Sequence, residues 1–289
     1  MIELCQPPDP SPRTPLLRCP PGATDCHVHV YGPADHYPVA PTRAFDVPDA
    51  SPSTLRSVLD TLGIDRVVLV QPSGYGTDNQ RHLDALAEVG RPARMIASLR
   101  TDVSSAELER LDHAGVRGVR YTIGHAAAVP VTEMPELARR IEPLGWHVQL
   151  HVMSDGGRVP LAEMQSILSA LPVEVVLDHV GSVRPAEGIN QPGFTALLEL
   201  LATGRCWVKL SAAYRVAEAP PYPEMKPFVD AMLAVNPERL LWGSDWPHVS
   251  FKGTMPNTTE LLDQMLTWVP DDDQRTRILV DNPARLYGF

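Results

Sequence analysis

Two histidines one residue apart, His27 and His29, sit in the stretch Thr24-Asp25-Cys26-His27-Val28-His29-Val30. A regular strand sends alternate side chains to opposite faces, so Asp25, His27 and His29 are expected on one face and Cys26, Val28 and Val30 on the other. Imidazole nitrogens at alternate strand positions can converge on one small target, either a metal ion or the oxygen of a substrate carbonyl. Other chemistry-bearing residues recur down the chain: Arg120 and Tyr121, His151, Asp178 with His179, Tyr214 with Arg215, and Asp245 followed by Trp246 and His248. Opening an ester-like carbonyl needs a base to deprotonate water and an electrophile to hold charge on the carbonyl oxygen. Asp245 is the candidate base. His27, His29, His151 and Asp245 together offer three neutral nitrogens and a carboxylate, a set that suits one divalent ion, Zn²⁺ first, with a place left for water. Arg120 and Arg215 carry planar forks suited to a carboxylate or a similar oxyanion.

Such residues need a scaffold that brings distant strands to one point. Short apolar, β-branched runs occur at 24–30, 64–71, 93–99, 116–121, 146–151, 173–179, 206–211 and 239–244. Between them lie segments of helical spacing with capping residues at their starts: Ser51, Asp78, Ser104 and Thr132, then later starts near Pro160, Pro192, Pro223 and Asn257. Strands alternating with helices mark parallel βαβ units, and eight of them favour an α/β fold closed as a (β/α)8 TIM barrel. In that fold, functional side chains collect where strands end and loops begin, at the C-terminal face. The strand ends deliver His27 and His29; Gln71, Ser73 and Tyr75; Arg100; Arg120 and Tyr121; His151; Asp178 and His179; Ser211, Tyr214 and Arg215; and Asp245 and His248. Of these, Asp178 is expected to point away from His179. His147 reads as a packed barrel or helix-facing residue, His82 and His113 as solvated helix residues, and Lys209 as either a structural cation or support for the site. The segment 31–49 should fold over the barrel mouth. Residues 1–22, rich in proline and lacking an apolar core, read as an irregular arm, and 23–289 as a single catalytic barrel.

Composition narrows the partners. The chain has 289 residues, a formal net charge of -10 and no Lys/Arg-rich run, which argues against nucleic acid or an anionic membrane surface. No apolar run approaches the roughly 18 residues of a membrane-spanning helix. Four cysteines without C-x-x-C spacing suggest reduced thiols and a cytoplasmic setting. The expected partner is a small anionic molecule, and assembly into a homo-oligomer stays open.

The motifs Asp-Cys-His-Val-His at 25–29, Leu-Asp-His-Val-Gly at 177–181, Trp-Gly-Ser-Asp-Trp-Pro-His at 242–248 and the ending at 281–289 resemble the amidohydrolase superfamily. Within it they resemble the branch of 2-pyrone-4,6-dicarboxylate lactonases, sulfomuconolactone hydrolases and galactarolactone isomerases. Further matches lie at 70–79, 115–121 and 209–215. The resemblance implies reaction at a lactone carbonyl on an anionic substrate. Asp245 would be the base, and His27, His29 and His179 would polarise the carbonyl. Ser73, Tyr75, Tyr121, Arg120, Arg215 and His248 would contact the substrate. Two departures stand out. The pyrone dicarboxylate branch has a second arginine where this chain has Gly124-His125-Ala126, and His151 ends strand five where the metal-free lactonase has no histidine. His151 is what favours a bound zinc. The alternatives are lactone isomerisation, metal-dependent decarboxylation, or a barrel that binds without turnover.

Overall fold

The computed structural model describes residues 2–10, 13–123, 128–152 and 161–289. The Gly124-His125-Ala126 departure and the helix start near Pro160 lie outside them. Eight strands, β1 Thr24–Val28, β2 Arg66–Val70, β3 Ala93–Ala97, β4 Val116–Ile123, β5 His147–Val152, β6 Val175–Leu177, β7 Cys206–Leu210 and β8 Leu240–Trp242, form one sheet in sequence order. All pairings are parallel. The helices between and after them are α1 Pro52–Leu62, α2 Gln80–Glu88, α3 Ser105–Ala114, α4 Met134–Ile141, α5 Leu161–Ala170, α6 Pro192–Ala202, α7 Lys226–Val235 and α8 Thr258–Trp268. The chain is a (β/α)8 barrel. Local chemistry sets several boundaries: the hydroxyls of Ser51 and Ser104 accept the N–H groups of Thr54 and Glu107, and Asn257 caps α8 through the N–H of Thr259. Helix α2 starts at Gln80, whose N–H is taken by Asp78 at 3.0 Å.

Two cores hold the barrel. Helix residues such as Leu55, Leu59, Leu137 and Ile141 pack on the strand residues Val67, Leu69, Val119 and Val148 in the large outer core. A smaller cluster joins Cys26, Val68, Val70, Ile96, Val176, Trp207 and Leu241 with Tyr287 of the C-terminal helix Asn282–Tyr287. His147 is buried and packs edge-on against Tyr287, ring centroids 5.5 Å apart.

The alternation expected along β1 does not hold. The register against β2 shifts between Asp25 and Val28, so Cys26 joins the small cluster while Val28 and Val30 pack in the large one. A bulge of this kind places consecutive side chains where a regular strand would separate them. Asp25 does not share the site face with His27 and His29 as alternation predicts: its Oδ1 accepts the N–H groups of His27 at 3.1 Å and Ser244 at 3.0 Å. The barrel closes just beyond β8, where the N–H of Asp245 reaches the His27 carbonyl at 2.9 Å and the N–H of His29 reaches that of Trp246 at 2.8 Å. The seam and the His27–His29 stretch therefore share the same residues.

His82 also departs from expectation. It is fully buried, and its Nε2 lies 3.3 Å from the N–H of Val30, an amide just past the end of β1 that needs an acceptor. His113 is exposed on α3. The segment after β1 pairs with itself through Tyr31 and Ala50, and contributes Tyr31 and Phe45 to the wall of the cavity at the barrel's C-terminal end. Among the described residues no helix is long and apolar enough to cross a membrane.

Candidate active site

His27 lies on β1 and His29 just past it, His179 opens the turn after β6, and Asp245 follows β8 in a left-handed conformation at φ 62°. Their polar atoms converge. Asp245 Oδ1 is 3.6 Å from His27 Nε2, 3.7 Å from His29 Nε2 and 3.8 Å from His179 Nε2. Its other oxygen is fully engaged, accepting from Tyr214 Oη at 2.6 Å and from Arg215 Nε and Nη2 at 2.9 and 2.8 Å. Oδ1 is thus the oxygen left for chemistry.

The outer nitrogens of the imidazoles orient the rings. His29 Nδ1 lies 2.6 Å from the Val70 carbonyl, so it carries the proton and leaves Nε2 with a lone pair. His179 Nδ1 is 2.9 Å from Ser211 Oγ. His27 Nδ1 lies 3.2 Å from Asp178 Oδ1 and 3.3 Å from Lys209 Nζ. Lys209 is fully buried and also donates to Gln149 Oε1 at 2.7 Å, while Gln149 Nε2 donates to Asp178 Oδ2 at 3.0 Å. Lys209 therefore supports the site from beneath. Asp178 corrects the expectation that it points away. It continues the inward-facing parity of Val176 in β6, and His179, at φ 53°, starts a turn that brings the next side chain in as well. Gln149 carried no signal in the sequence, because an amide inside a strand reads as one more barrel residue.

Burial pushes His27 and His179 down to about 3 and His248 to about 4, and lowers His29 and His151 too, so all are neutral near pH 7. Burial alone would raise the Asp245 carboxyl, but the Arg215 guanidinium outweighs it and holds Asp245 well below the usual carboxylate range. For Asp178 burial is likewise outweighed, by His27 and the Lys209 ammonium.

These shifts predict acid sensitivity. His27, His147 and His179 at about 3 and His248 at about 4, against an ordinary 6.5, bind protons in the unfolded chain between roughly pH 4 and 6.5 but not in the native one. Stability is therefore lost as pH falls through that window. Asp25, raised by burial to about 6 from 3.8, opposes this by one proton, leaving an uptake of roughly three or more protons on unfolding near pH 5. Urea unfolding at pH 7.5, 6 and 5 should show a steep decline. A flat profile would show that these histidines are not buried in neutral form.

A cavity of about 300 Å³ opens above this cluster, and its wall includes His29, Ser73, Arg120, His151, His179, Arg215 and Asp245. Arg120 is anchored by Nη1 to the Gln71 carbonyl at 3.2 Å, with Nε 3.3 Å from Asp178 Oδ2. Arg215 spends its fork on Asp245 and on the Val249 carbonyl at 2.9 Å, so its first role is toward the carboxylate and not the substrate. Three residues expected at the substrate lie elsewhere. Tyr75 is buried, stacks on Tyr31 and accepts the Gly32 N–H at 2.9 Å; Tyr121 packs in the large core; and His248 bridges Tyr214 Oη at 3.2 Å and Thr258 Oγ1 at 3.1 Å. The loop beyond β8 adds Phe251 and Lys252 to the wall, residues that follow the strand-end motif too closely in sequence to stand out from it.

Among the described residues, the side chains whose ligand atoms come within 4.8 Å of one another are His27, His179 and Asp245. His29 stands beside them, its Nε2 3.3 Å from that of His27. The set differs from the one read in the sequence: His179 takes a place, and His151 packs its ring edge-on against His179 at 4.7 Å. Neutral imidazoles, the Nδ1 of His29 held by a carbonyl and that of His27 against a carboxylate, together with an ionised Asp245 Oδ1, fit a divalent metal in donor type and in outer-shell support.

A parallel barrel that gathers histidines from its first and sixth strands and an aspartate from its eighth at the C-terminal mouth is the scaffold of a metal-assisted or acid–base hydrolase. The chain belongs to the amidohydrolase family, whose sequence model matches residues 24–289. It is 36% identical over 289 residues to a 2-pyrone-4,6-dicarboxylate hydrolase of Comamonas testosteroni, covering 96% of this chain and 93% of that one. A 4-sulfomuconolactone hydrolase of Hydrogenophaga intermedia is 34% identical over 275 residues, 93% of this chain and 89% of its own length. Among solved structures, a probable 2-pyrone-4,6-dicarboxylic acid hydrolase of Acinetobacter baumannii with citric acid bound superposes with a TM-score of 0.79 at 29% identity, covering 93% and 100% of the two chains.

Proposed function

We propose that this protein is a hydrolase that opens the lactone ring of a small anionic substrate bearing a carboxylate or sulfonate. The observation that carries the reading is Asp245 Oδ1, an ionised oxygen that Tyr214 and Arg215 leave to face three neutral imidazoles at 3.6–3.8 Å beneath a cavity lined by Arg120 and Arg215. Asp245 takes a proton from the attacking water and returns it to the ring oxygen that leaves, and His179, whose Nδ1 can accept from the Ser211 hydroxyl and so keep the proton on Nε2, donates to the oxygen on which charge develops. Lys209 and Arg120 pair with Asp178 and Arg215 with Asp245, and the cavity wall carries Arg120, Arg215 and Lys252, a cationic lining suited to an anion. The relatives named for pyrone dicarboxylate and sulfomuconolactone support this class of substrate. The test is a panel of anionic lactones, followed by acid release and product mass. A product heavier by one water supports hydrolysis; an isomer of unchanged mass or release of carbon dioxide replaces it with one of the other reactions.

Arg120 is the group we assign to the anion. Arg120→Met should weaken binding of a charged lactone by at least about tenfold, the worth of a charge-assisted hydrogen bond, and leave its neutral methyl ester nearly unaffected. Equal losses on the two would make Arg120 a structural partner of Asp178.

The donor set would hold zinc through His27, His179 and Asp245, with His29 beside them. Such an ion supplies a Lewis acid and lowers the pKa of water to about 7. Elemental analysis of protein purified without chelator, followed by chelation and re-addition, checks the assignment. Metal content and activity should fall and return together; full activity in metal-free protein would leave the imidazoles as hydrogen-bonding groups alone.

A further inference from the structure

Asp25 is a buried carboxylate with an unusual division of labour. Its Oδ1 accepts the backbone N–H groups of His27 at 3.1 Å and of Ser244 at 3.0 Å, while Oδ2 accepts no backbone amide among the described residues. The residue is fully inaccessible and faces no substrate cavity. The two amides it holds belong to opposite sides of the barrel seam. His27 sits in the bulged part of β1, where the register against β2 shifts, and Ser244 immediately precedes Asp245. Strand β8 is only three residues long and pairs as a ladder with β7, so beyond it the loop that carries Asp245 is tied to β1 by single bonds. Two of these are backbone bonds, Asp245 N–H to the His27 carbonyl and His29 N–H to the Trp246 carbonyl. A bulge leaves an amide without its ladder partner, and a buried amide must find another acceptor or lose the free energy of a hydrogen bond.

We propose that Asp25 is a positioning residue: by accepting both amides on one oxygen it fixes the spacing between the His27 imidazole and the Asp245 carboxylate on which the proposed lactone chemistry depends. What the two amides call on is an acceptor at the position of Oδ1, since both converge there. Asparagine can supply the same oxygen in the same place, and alanine cannot. The inference rests on the proposed function only for its kinetic readout; the hydrogen bonds themselves can be read without substrate.

The experiment compares wild type, Asp25→Asn and Asp25→Ala in full-length protein, by amide hydrogen exchange at His27 and Ser244 and by steady-state kinetics on a lactone that wild type opens. In wild type and Asp25→Asn both amides should be protected, and in Asp25→Ala both should exchange at least about 30-fold faster, a loss comparable to one or two hydrogen bonds. Turnover should fall in Asp25→Ala by about 30-fold or more with KM within about threefold, and Asp25→Asn should restore it, since misplacement of reacting groups acts on kcat and not on uniform binding. Unprotected amides in wild type, turnover in Asp25→Ala equal to wild type, or Asp25→Asn as impaired as Asp25→Ala would each overturn the proposal. The first stands even if Asp25→Ala does not fold, and Asp25→Asn is then compared with wild type alone: turnover lower by about 30-fold or more overturns the proposal. Should no lactone be turned over, the exchange data still decide the role of Asp25, and the failure falls on the proposed function alone.

Discussion

Asp245→Asn should bind anionic lactones as wild type does and turn them over about 100-fold to 10,000-fold more slowly, the usual contribution of a positioned general base. The structure says how the variant would settle. Tyr214 and Arg215 present three donors to Oδ2, so the carbonyl of the new amide would turn to meet them and its NH2 would take the place of Oδ1. An acceptor facing three imidazole nitrogens becomes a donor facing them, and the proton of water has nowhere to go. Binding should survive because Arg215 loses its counterion and gains attraction for an anionic substrate. The wild-type pH profile offers a second check. Since Arg215 holds Asp245 well below the usual carboxylate range, kcat/KM should show no acid limb from this residue near neutrality. Turnover in Asp245→Asn within about threefold of wild type, together with an acid limb near pH 6, would move the base to another group.

The barrel was legible because parallel strands buried on both faces read as short apolar runs, and because helix starts carry Ser and Asn caps. The strand-end rule then brought His27, His29, His179 and Asp245 together from three separate places in the chain. It went wrong where it assumed ideal strands. Alternation places Asp25 on the face of His27 and His29, but the bulge in β1 breaks it, and the same rule turns Asp178 away from His179 one residue before the backbone leaves strand geometry. Tyr75, Tyr121 and His248 show a second limit. Polar tips near a strand end can face the cavity or a neighbouring backbone group, and only the tertiary partner, such as the Gly32 amide for Tyr75 or Thr258 for His248, decides between them. Arg215 illustrates a third. Its fork fits a substrate carboxylate and a protein carboxylate equally well, and Asp245 lies 30 positions away, beyond any local pattern.

Gly243 gives the seam its sharpest test. It follows β8 directly, and a Cβ added there would stand 2.7 Å from His27 Cβ and 3.0 Å from the His27 backbone nitrogen. Neither contact is the far end of a flexible side chain, so Gly243→Ala must push β1 and the β8 loop apart. Overfilling of this kind costs about 1–3 kcal/mol of stability. The kinetic effect should be larger than the loss of stability suggests, because His27 and Asp245 lie on the two sides being separated, and a shift of about 1 Å at reacting groups costs on the order of 100-fold in rate. Unfolding by urea and kcat on the same preparation separate the two effects: a folded variant with a modestly lower midpoint and at least about 100-fold slower turnover is expected. A control at Gly193, where an added Cβ meets nothing within 4 Å, should leave turnover unchanged. If Gly243→Ala matches that control, the seam yields without displacing the catalytic pair, and the close approach of β8 to β1 serves packing alone.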